Sequence, residues 1–475
     1  MTEERSENQN RSTFREWAAV TTAHGFNDFS QANSLFGKIV WFVLIAISLA
    51  LMTYQLYTTI DDYTDHKWVS TVKEEDPDIN GTKFPSIIVC NINRLKNSKV
   101  KEYNMSYDMV RFLFLGSFQQ QYIIKDENTA AALEFYKWQK AHNLTYLDIF
   151  EKMAPKCEDI FVEEQCSEGN ITPIQTLDYG RCYRWETNEL ATEWGTKGAK
   201  YLILNTQGWD YVPVIQNNFL IQGLAIQLSY TGAAELGDWI KLQPGTHTSL
   251  SMKIAEARYR LPSKSSILNP FQYFDALGSE PPCSRDPQLK YFNDTPYTTV
   301  SCAVECFWKL PISLCDCIPF LPNKFYRTCD AEEIDSCYFS AFKNFTADDW
   351  TAEIFNCMSQ CPEPCVYRYV EATTSQTTFP SDEQRPELEK WLAANQMGNV
   401  RLKDVIVLEF YFGSLEAKVT EYYKAVSLDN LVSNIGGLIG VWAGMSFLTV
   451  FQALHYFYKF GEEWRKKSAV NTLKY

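Results

Sequence analysis

The residues whose chemistry is easiest to localise lie near the C-terminal end. The run Leu431–Tyr458, LVSNIGGLIGVWAGMSFLTVFQALHYFY, holds no acidic residue, lysine or arginine, but carries Gly436, Gly437, Gly440, Gly444 and Ser446. Gly436, Gly440 and Gly444 recur every four residues and would share one face of a helix. Two readings are open at this point. Glycines so spaced let helix backbones approach closely in a membrane, or they line a pore in which backbone carbonyls replace the hydration of a cation. The second conspicuous set is fourteen cysteines, all between Cys90 and Cys365. Cys315-Asp-Cys317 and Cys361-Pro-Glu-Pro-Cys365 are close enough to invite zinc, but the five histidines are scattered. Disulfides are the expectation, with no metal and no cofactor. No Gly-x-Ser-x-Gly elbow, His-Glu-x-x-His or phosphate loop is present, so the chain does not read as an enzyme.

Two apolar runs would position this chemistry. Mean hydropathy over all 475 residues is −0.27, and net charge is −14, which argues against a nucleic-acid partner. Against that polar background, Phe36 to Tyr57 form a charge-free stretch apart from Lys38, long enough to cross a bilayer. It starts too late, runs too long and lacks the small-residue site of a cleaved signal peptide. The second run, 431–459, is long for one crossing, and its glycines suggest tilt or a break. Bases follow it (Lys459, Arg465, Lys466, Lys467) and precede the first run (Arg11, Arg15, Lys38), whereas acids dominate between them. The positive-inside rule then places both termini in the cytosol of a two-pass plasma-membrane protein. The domain plan is 1–35 cytosolic, 36–57 first span, 58–430 extracellular, 431–459 second span and 460–475 cytosolic tail. Confinement of every cysteine to 58–430 agrees with an oxidising compartment. So do six N-x-S/T sequons there, at Asn80, Asn104, Asn143, Asn170, Asn293 and Asn344; a seventh, Asn10, falls on the cytosolic side.

The intervening region reads as mixed α+β. Residues 95–165 have helical patterning, 200–260 read as strands with turns, and 283–365 form a cysteine-dense module. A late strand pair, Cys365–Ser381 and Val405–Tyr423, leads back to the membrane.

Five segments together resemble the epithelial sodium channel, degenerin and acid-sensing ion channel superfamily. They are Thr21-Thr-Ala-His24-Gly25, Phe84-Pro-Ser-Ile-Ile-Val-Cys90-Asn91, Leu242-Gln-Pro-Gly-Thr-His-Thr, Lys290-Tyr-Phe-Asn-Asp with Ser301-Cys-Ala-Val-Glu-Cys306, and Asn434-Ile-Gly-Gly-Leu-Ile-Gly-Val-Trp-Ala-Gly444-Met-Ser446. The resemblance implies a β-sheet palm with helical finger and thumb, and a trimer of this subunit or related ones. It implies seven bridges: Cys90–Cys182, Cys157–Cys166, Cys283–Cys365, Cys302–Cys361, Cys306–Cys357, Cys315–Cys337 and Cys317–Cys329. It implies a selectivity filter at Gly444, Met445 and Ser446 and a gate at Ser433 with Gly436, Gly437 and Gly440. His24 and Gly25 would act in cytosolic gating. Sodium-preferring conduction, amiloride block and an extracellular proton, peptide or mechanical stimulus follow from the same resemblance. Asp429, Glu421 and Glu416, just before the second span, would concentrate cations at the mouth or stand there as ordinary solvated acids. His455 is the ionisable side chain within the second run, and FQALHYFY carries no carboxylate. The competing class is a two-span scavenger or adhesion receptor in the same lipid setting without conduction. Such a receptor needs no Gly-x-Ser break.

Overall fold

The computed structural model describes residues 17–18, 20–76, 81–115, 127–162, 166, 169–176, 179–214, 222–230, 239–261, 282–292, 296–318, 326–329, 333, 336–337, 347–395 and 400–472. The chain divides into two compact units, one of 1–70, 260–281 and 422–475 and one of 71–259 and 282–421. The larger is built on two sheets. The strands of these two sheets are β1 (Trp68–Glu75), β2 (Ser86–Asn91), β3 (Ile171–Thr176), β4 (Gly180–Trp185), β5 (Lys200–Asn205), β6 (Leu224–Ser229), β7 (Ile240–Leu242), β8 (Thr246–Tyr259), β9 (Val366–Thr378), β10 (Val405–Phe412) and β11 (Ala417–Lys424). One sheet has the order β1-β11-β8-β10-β5, with β9 also paired to β8; the other runs β3-β4-β2-β6-β7.

Alternation sets the first sheet. On β8, Thr248, Leu250, Met252 and Ile254 are buried and the residues between them are half-exposed, the period-two pattern of a strand with one core face; from Ala255 to Ala257 both faces are buried. Leu250, Met252 and Ile254 join Leu202, Leu204, Ile406, Leu408, Phe410 and Phe412 from β5 and β10. In the second sheet all six residues of β2 are buried, as a central strand requires, and Ile87 and Val89 reach the same core. The two late runs do not pair with each other as expected. β9 lies antiparallel on one edge of β8, and β10 lies parallel on the other. The second run is also split, because Gly413–Glu416 turn the chain from β10 into β11.

Helices fill the rest of this unit. Asn97–Glu102, Tyr107–Leu115, Glu127–His142 and Tyr146–Met153 enclose a core of Val110, Phe112, Phe135, Trp138, Ile149 and Met153. In the cysteine-dense module, Thr299–Cys315 lies beside Ala347–Met358. Cys302 and Cys306 sit four residues apart, on one face of the first helix. They bond to Cys361 and Cys357, with Cα separations of 5.8 Å in both rungs. The other bridges are Cys90–Cys182, Cys157–Cys166, Cys283–Cys365, Cys315–Cys337 and Cys317–Cys329, the same pairs the resemblance implies. Asn104, Asn143 and Asn170 are exposed, whereas Asn80, Asn293 and Asn344 lie outside the described residues, as does Asn10.

The smaller unit holds the apolar helices. Leu35–Thr64 is a single 30-residue helix whose most apolar window has mean hydropathy 2.3 and contains no buried residue. Ser34 caps it by accepting from Gly37 N at 3.0 Å. It outruns the expected 36–57 by about two turns at its C-terminal end, since Asp61 and Asp62 are tolerated on an exposed helix. The second run is not one helix over 431–459. Leu428–Ala443 ends at Gly444, and Phe447–Thr472 begins after Ser446. The first piece has 16 residues; the second continues past the expected boundary at 460, through its charged residues. Among the described residues, Leu35–Thr64 is the one helix long and apolar enough by itself to cross a membrane.

Candidate functional site

The break in the second run is built from its sequence outward. Gly444 has φ +64°, a left-handed conformation that costs any residue with a Cβ, and its N–H donates to Gly440 O at 3.0 Å. Two residues on, Ser446 caps the next helix. Its Oγ accepts from Thr449 N at 3.4 Å, while Thr449 Oγ1 accepts from Ser446 N at 3.1 Å, a reciprocal capping arrangement. Gly444-Met445-Ser446 is therefore held out of helical geometry at both ends. A closed helix has no free carbonyls to offer a cation; an interruption at membrane depth has, provided it faces water or ions.

The segment before the first span braces this break. His24 N donates to Ala443 O at 2.8 Å, satisfying a carbonyl at the helix end. The His24 ring lies directly against Gly444: a Cβ built there would fall 2.2 Å from His24 Cδ2 and 2.4 Å from Nε2. Gly25, at φ +79°, turns the chain away, and a Cβ on it would press Ile45 at 3.0 Å. Thr22 Oγ1 meets Thr449 Oγ1 at 2.5 Å, so three hydroxyls (Thr22, Ser446 and Thr449) form one cluster. The first-span helix adds Gln55, whose Oε1 accepts from Trp442 Nε1 at 2.7 Å. The two residues of the His-Gly pair and the Gly-Met-Ser triplet, separated by more than 400 positions, thus form one assembly.

The remaining expected residues fall elsewhere. Ser433, Gly436 and Gly437 are exposed on Leu428–Ala443, and a Cβ added at Gly436, Gly437 or Gly440 meets nothing within 4 Å. His455 is exposed on the following helix. Asp429 occupies the first turn of Leu428–Ala443, where its charge complements the helix N-terminus, and Ser427 caps that helix through Asn430 N at 3.2 Å. Glu416 is exposed in the turn between β10 and β11.

Glu421 departs from the expectation of a cation-attracting acid. It is 5% exposed and takes part in an ion-pair network across β1, β8, β9 and β11. Lys73 reaches both Glu75 (2.7 Å) and Glu421 (2.9 Å), while Arg258 reaches Glu256 (2.7 Å), Glu75 (3.4 Å) and Glu421 (3.6 Å). Arg368 adds a contact to Glu256 at 2.8 Å. Three carboxylates face three cations, so Glu421 offers little net field to a passing ion. Burial pushes the Glu256 carboxyl up, but hydrogen bonds and charge from Arg368 and Arg258 outweigh it and leave it below the ordinary range. Hydrogen bonding from Lys73 holds Glu75 low as well.

Sequence reasoning passed over Thr449, Gln55, Trp442 and the Glu256 network. Ser446-Phe-Leu-Thr449 has capping-box spacing and was a usable signal. Gln55 is a rare polar side chain in an apolar run. Pairing of Glu256 with Arg368 has no local signature, because 112 residues separate them.

A mixed α+β extracellular fold stapled by seven disulfides, joined to apolar helices with a glycine-serine break, defines the channel class. This chain belongs to the amiloride-sensitive sodium channel family, whose model matches residues 17–456. It is similar to the human bile acid-sensitive ion channel, at 23% identity over 93% of this chain and 85% of the relative. Acid-sensing ion channel 1 of Gallus gallus is 22% identical over 93% of this chain and 83% of its own length. The epithelial sodium channel subunit beta of Xenopus laevis is 26% identical over 63% of this chain and 47% of its own. The protein is accordingly a cation channel subunit and not an enzyme.

Proposed function

We propose that the chain forms a sodium-preferring, amiloride-sensitive pore as a trimer of itself or related subunits, gated through its extracellular region. In this reading it crosses the plasma membrane twice, and Gly444-Met445-Ser446 is the filter. The observation that carries the reading is the capped interruption at 444–446, with His24 and Gly25 seated against it. Carbonyls and the Ser446 hydroxyl would replace part of the hydration of a cation, and glycine at 444 lets the backbone take the needed turn. The open space in front of Gly436, Gly437 and Gly440 is what a helix needs to approach its copies around an axis, with Ser433 at the gate. The paired state of Glu421 leaves Glu416 and Asp429 as the mouth acids. Protons, a peptide ligand or force are the stimuli this architecture accommodates.

The test is two-electrode voltage clamp on oocytes expressing the chain alone and with related subunits. Acid, peptides and stretch are applied, with amiloride and sodium-to-potassium replacement. The expected result is an amiloride-blocked current whose reversal potential follows sodium. A chain that reaches the surface with such partners and passes no current under any stimulus would overturn the proposal, and the receptor reading would then stand.

A further inference from the structure

Beside the break lies a cavity of about 190 Å³, wholly within the smaller unit. Three segments form it: Trp17 and His24 before the first span, Trp41 and Ser48 on that span, and Trp442 and Met445 at the break. Its other described lining residues are aliphatic, alanine, glycine or phenylalanine, which leaves His24 and Ser48 as the hydrogen-bonding side chains besides the indole N–H groups. Trp442 has already spent its N–H on Gln55.

We infer that this cavity is a binding site for a small uncharged aromatic or hydrocarbon group of roughly six to eight carbons. The volume matches one small ring, since an apolar protein cavity of about 150 Å³ takes benzene. Drug-sized molecules need about 300–1,000 Å³, so the site holds a single small group and not a whole molecule of that size. The lining offers an ion no opposite charge and burying an unpaired ion is costly, so an uncharged occupant is favoured over an ionic one. Tryptophan faces and Leu44, Ile45 and Leu49 supply the dispersion contacts instead. The occupant would wedge three segments whose mutual positions hold Gly444 and His24 together, and so bias the conduction state. This last step rests on the channel reading; the binding step does not. Two sources carry the same chemistry, a free small molecule and the tail of a membrane lipid.

Tryptophan emission reads occupancy directly. The full-length channel in lipid nanodiscs is titrated with 4-bromobenzyl alcohol, whose bromine quenches indole fluorescence on contact. In a second arm the nanodiscs contain phosphatidylcholine brominated at mid-chain. Three of the thirteen tryptophans line the cavity, so the saturable quenching in the first arm should reach no more than about a quarter of total emission. Ser48→Phe fills the cavity and should abolish that component; Leu44→Phe replaces it if Ser48→Phe fails to assemble. Loss of quenching in the first arm assigns a free ligand, and loss in the second assigns a lipid tail. Absence of a saturable component in both arms, or its persistence in an assembled filled variant, overturns the site. The alcohol should also change wild-type current at least twofold and leave the filled variant unmoved. An unchanged current in a conducting channel overturns the link to gating. A chain that conducts under no condition defeats the channel reading, while fluorescence still decides the site.

Discussion

Replacing Gly444 by alanine should disable the proposed filter through His24. Two costs can be separated. An alanine at φ +64° carries a left-handed penalty of about 1–2 kcal/mol. Its Cβ would also sit 2.2–2.6 Å from three atoms of the His24 ring, well inside contact distance, so the ring must leave. His24→Ala removes the ring and with it the second cost. The Gly444→Ala/His24→Ala double variant should therefore lose less than the sum of the single losses, with a coupling of about 1 kcal/mol or more. Such a coupling is at least a fivefold departure from multiplicativity in an equilibrium constant. The assay is single-channel recording of open probability and sodium-over-potassium selectivity, in variants whose surface expression has been equalised. If the two substitutions act additively to within about 0.5 kcal/mol, the His24–Gly444 contact does not support the break and the reasoning fails.

Three further outcomes follow from the extracellular unit. Glu256→Gln should lower the thermal midpoint at pH 7 by removing the charge that pairs Arg258 and Arg368; about 1–3 kcal/mol is at stake, because both arginines reach solvent. The Glu256 carboxyl is held below its ordinary 4.5, so its contribution is present above that pH and is lost as pH falls through the lower folded value. Melting curves from pH 7 to 3 should show this loss in the wild type and not in the glutamine variant. Asp404 behaves oppositely: burial raises its carboxyl, Lys403 and Arg401 offset this in part, and its Oδ2 has no hydrogen-bond partner among the described residues. Asp404→Asn should thus stabilise at neutral pH, with a gain that shrinks to nothing as pH falls below about 3.8; a destabilised variant at pH 7 would refute the assignment. Finally, Asn104→Gln, Asn143→Gln and Asn170→Gln should each remove one glycosidase-sensitive mobility step on a gel, as expected for exposed extracellular sequons.

Much of this architecture was legible because it rests on local pattern or compartment. Cysteines confined between two apolar runs announce a stapled extracellular region, and alternation along Thr246–Tyr259 announces a one-faced strand. The helical patterning across 95–165 reads correctly for the same reason. What escaped was non-local. The runs at Val366 and Val405 look like partners, but nothing in either says that β8 will come between them. Glu421 looks like a mouth acid until Lys73 and Arg258 arrive from strands far away in sequence. The break at Gly444 was expected, but its brace by Thr22, His24 and Thr449 depends on bringing together segments that no window spans.

The hydroxyl cluster at the break has a consequence for traffic. Thr22, Ser446 and Thr449 bring oxygen dipoles but no formal charge, and the apolar stretch Phe447–Tyr458 beyond carries no carboxylate. A cation passing the proposed filter would meet only neutral oxygen ligands and be held loosely, so its dwell time would be short. Ions that demand an anionic cage, divalent ones above all, find little reason to lodge there. Such a pore trades tight binding for throughput.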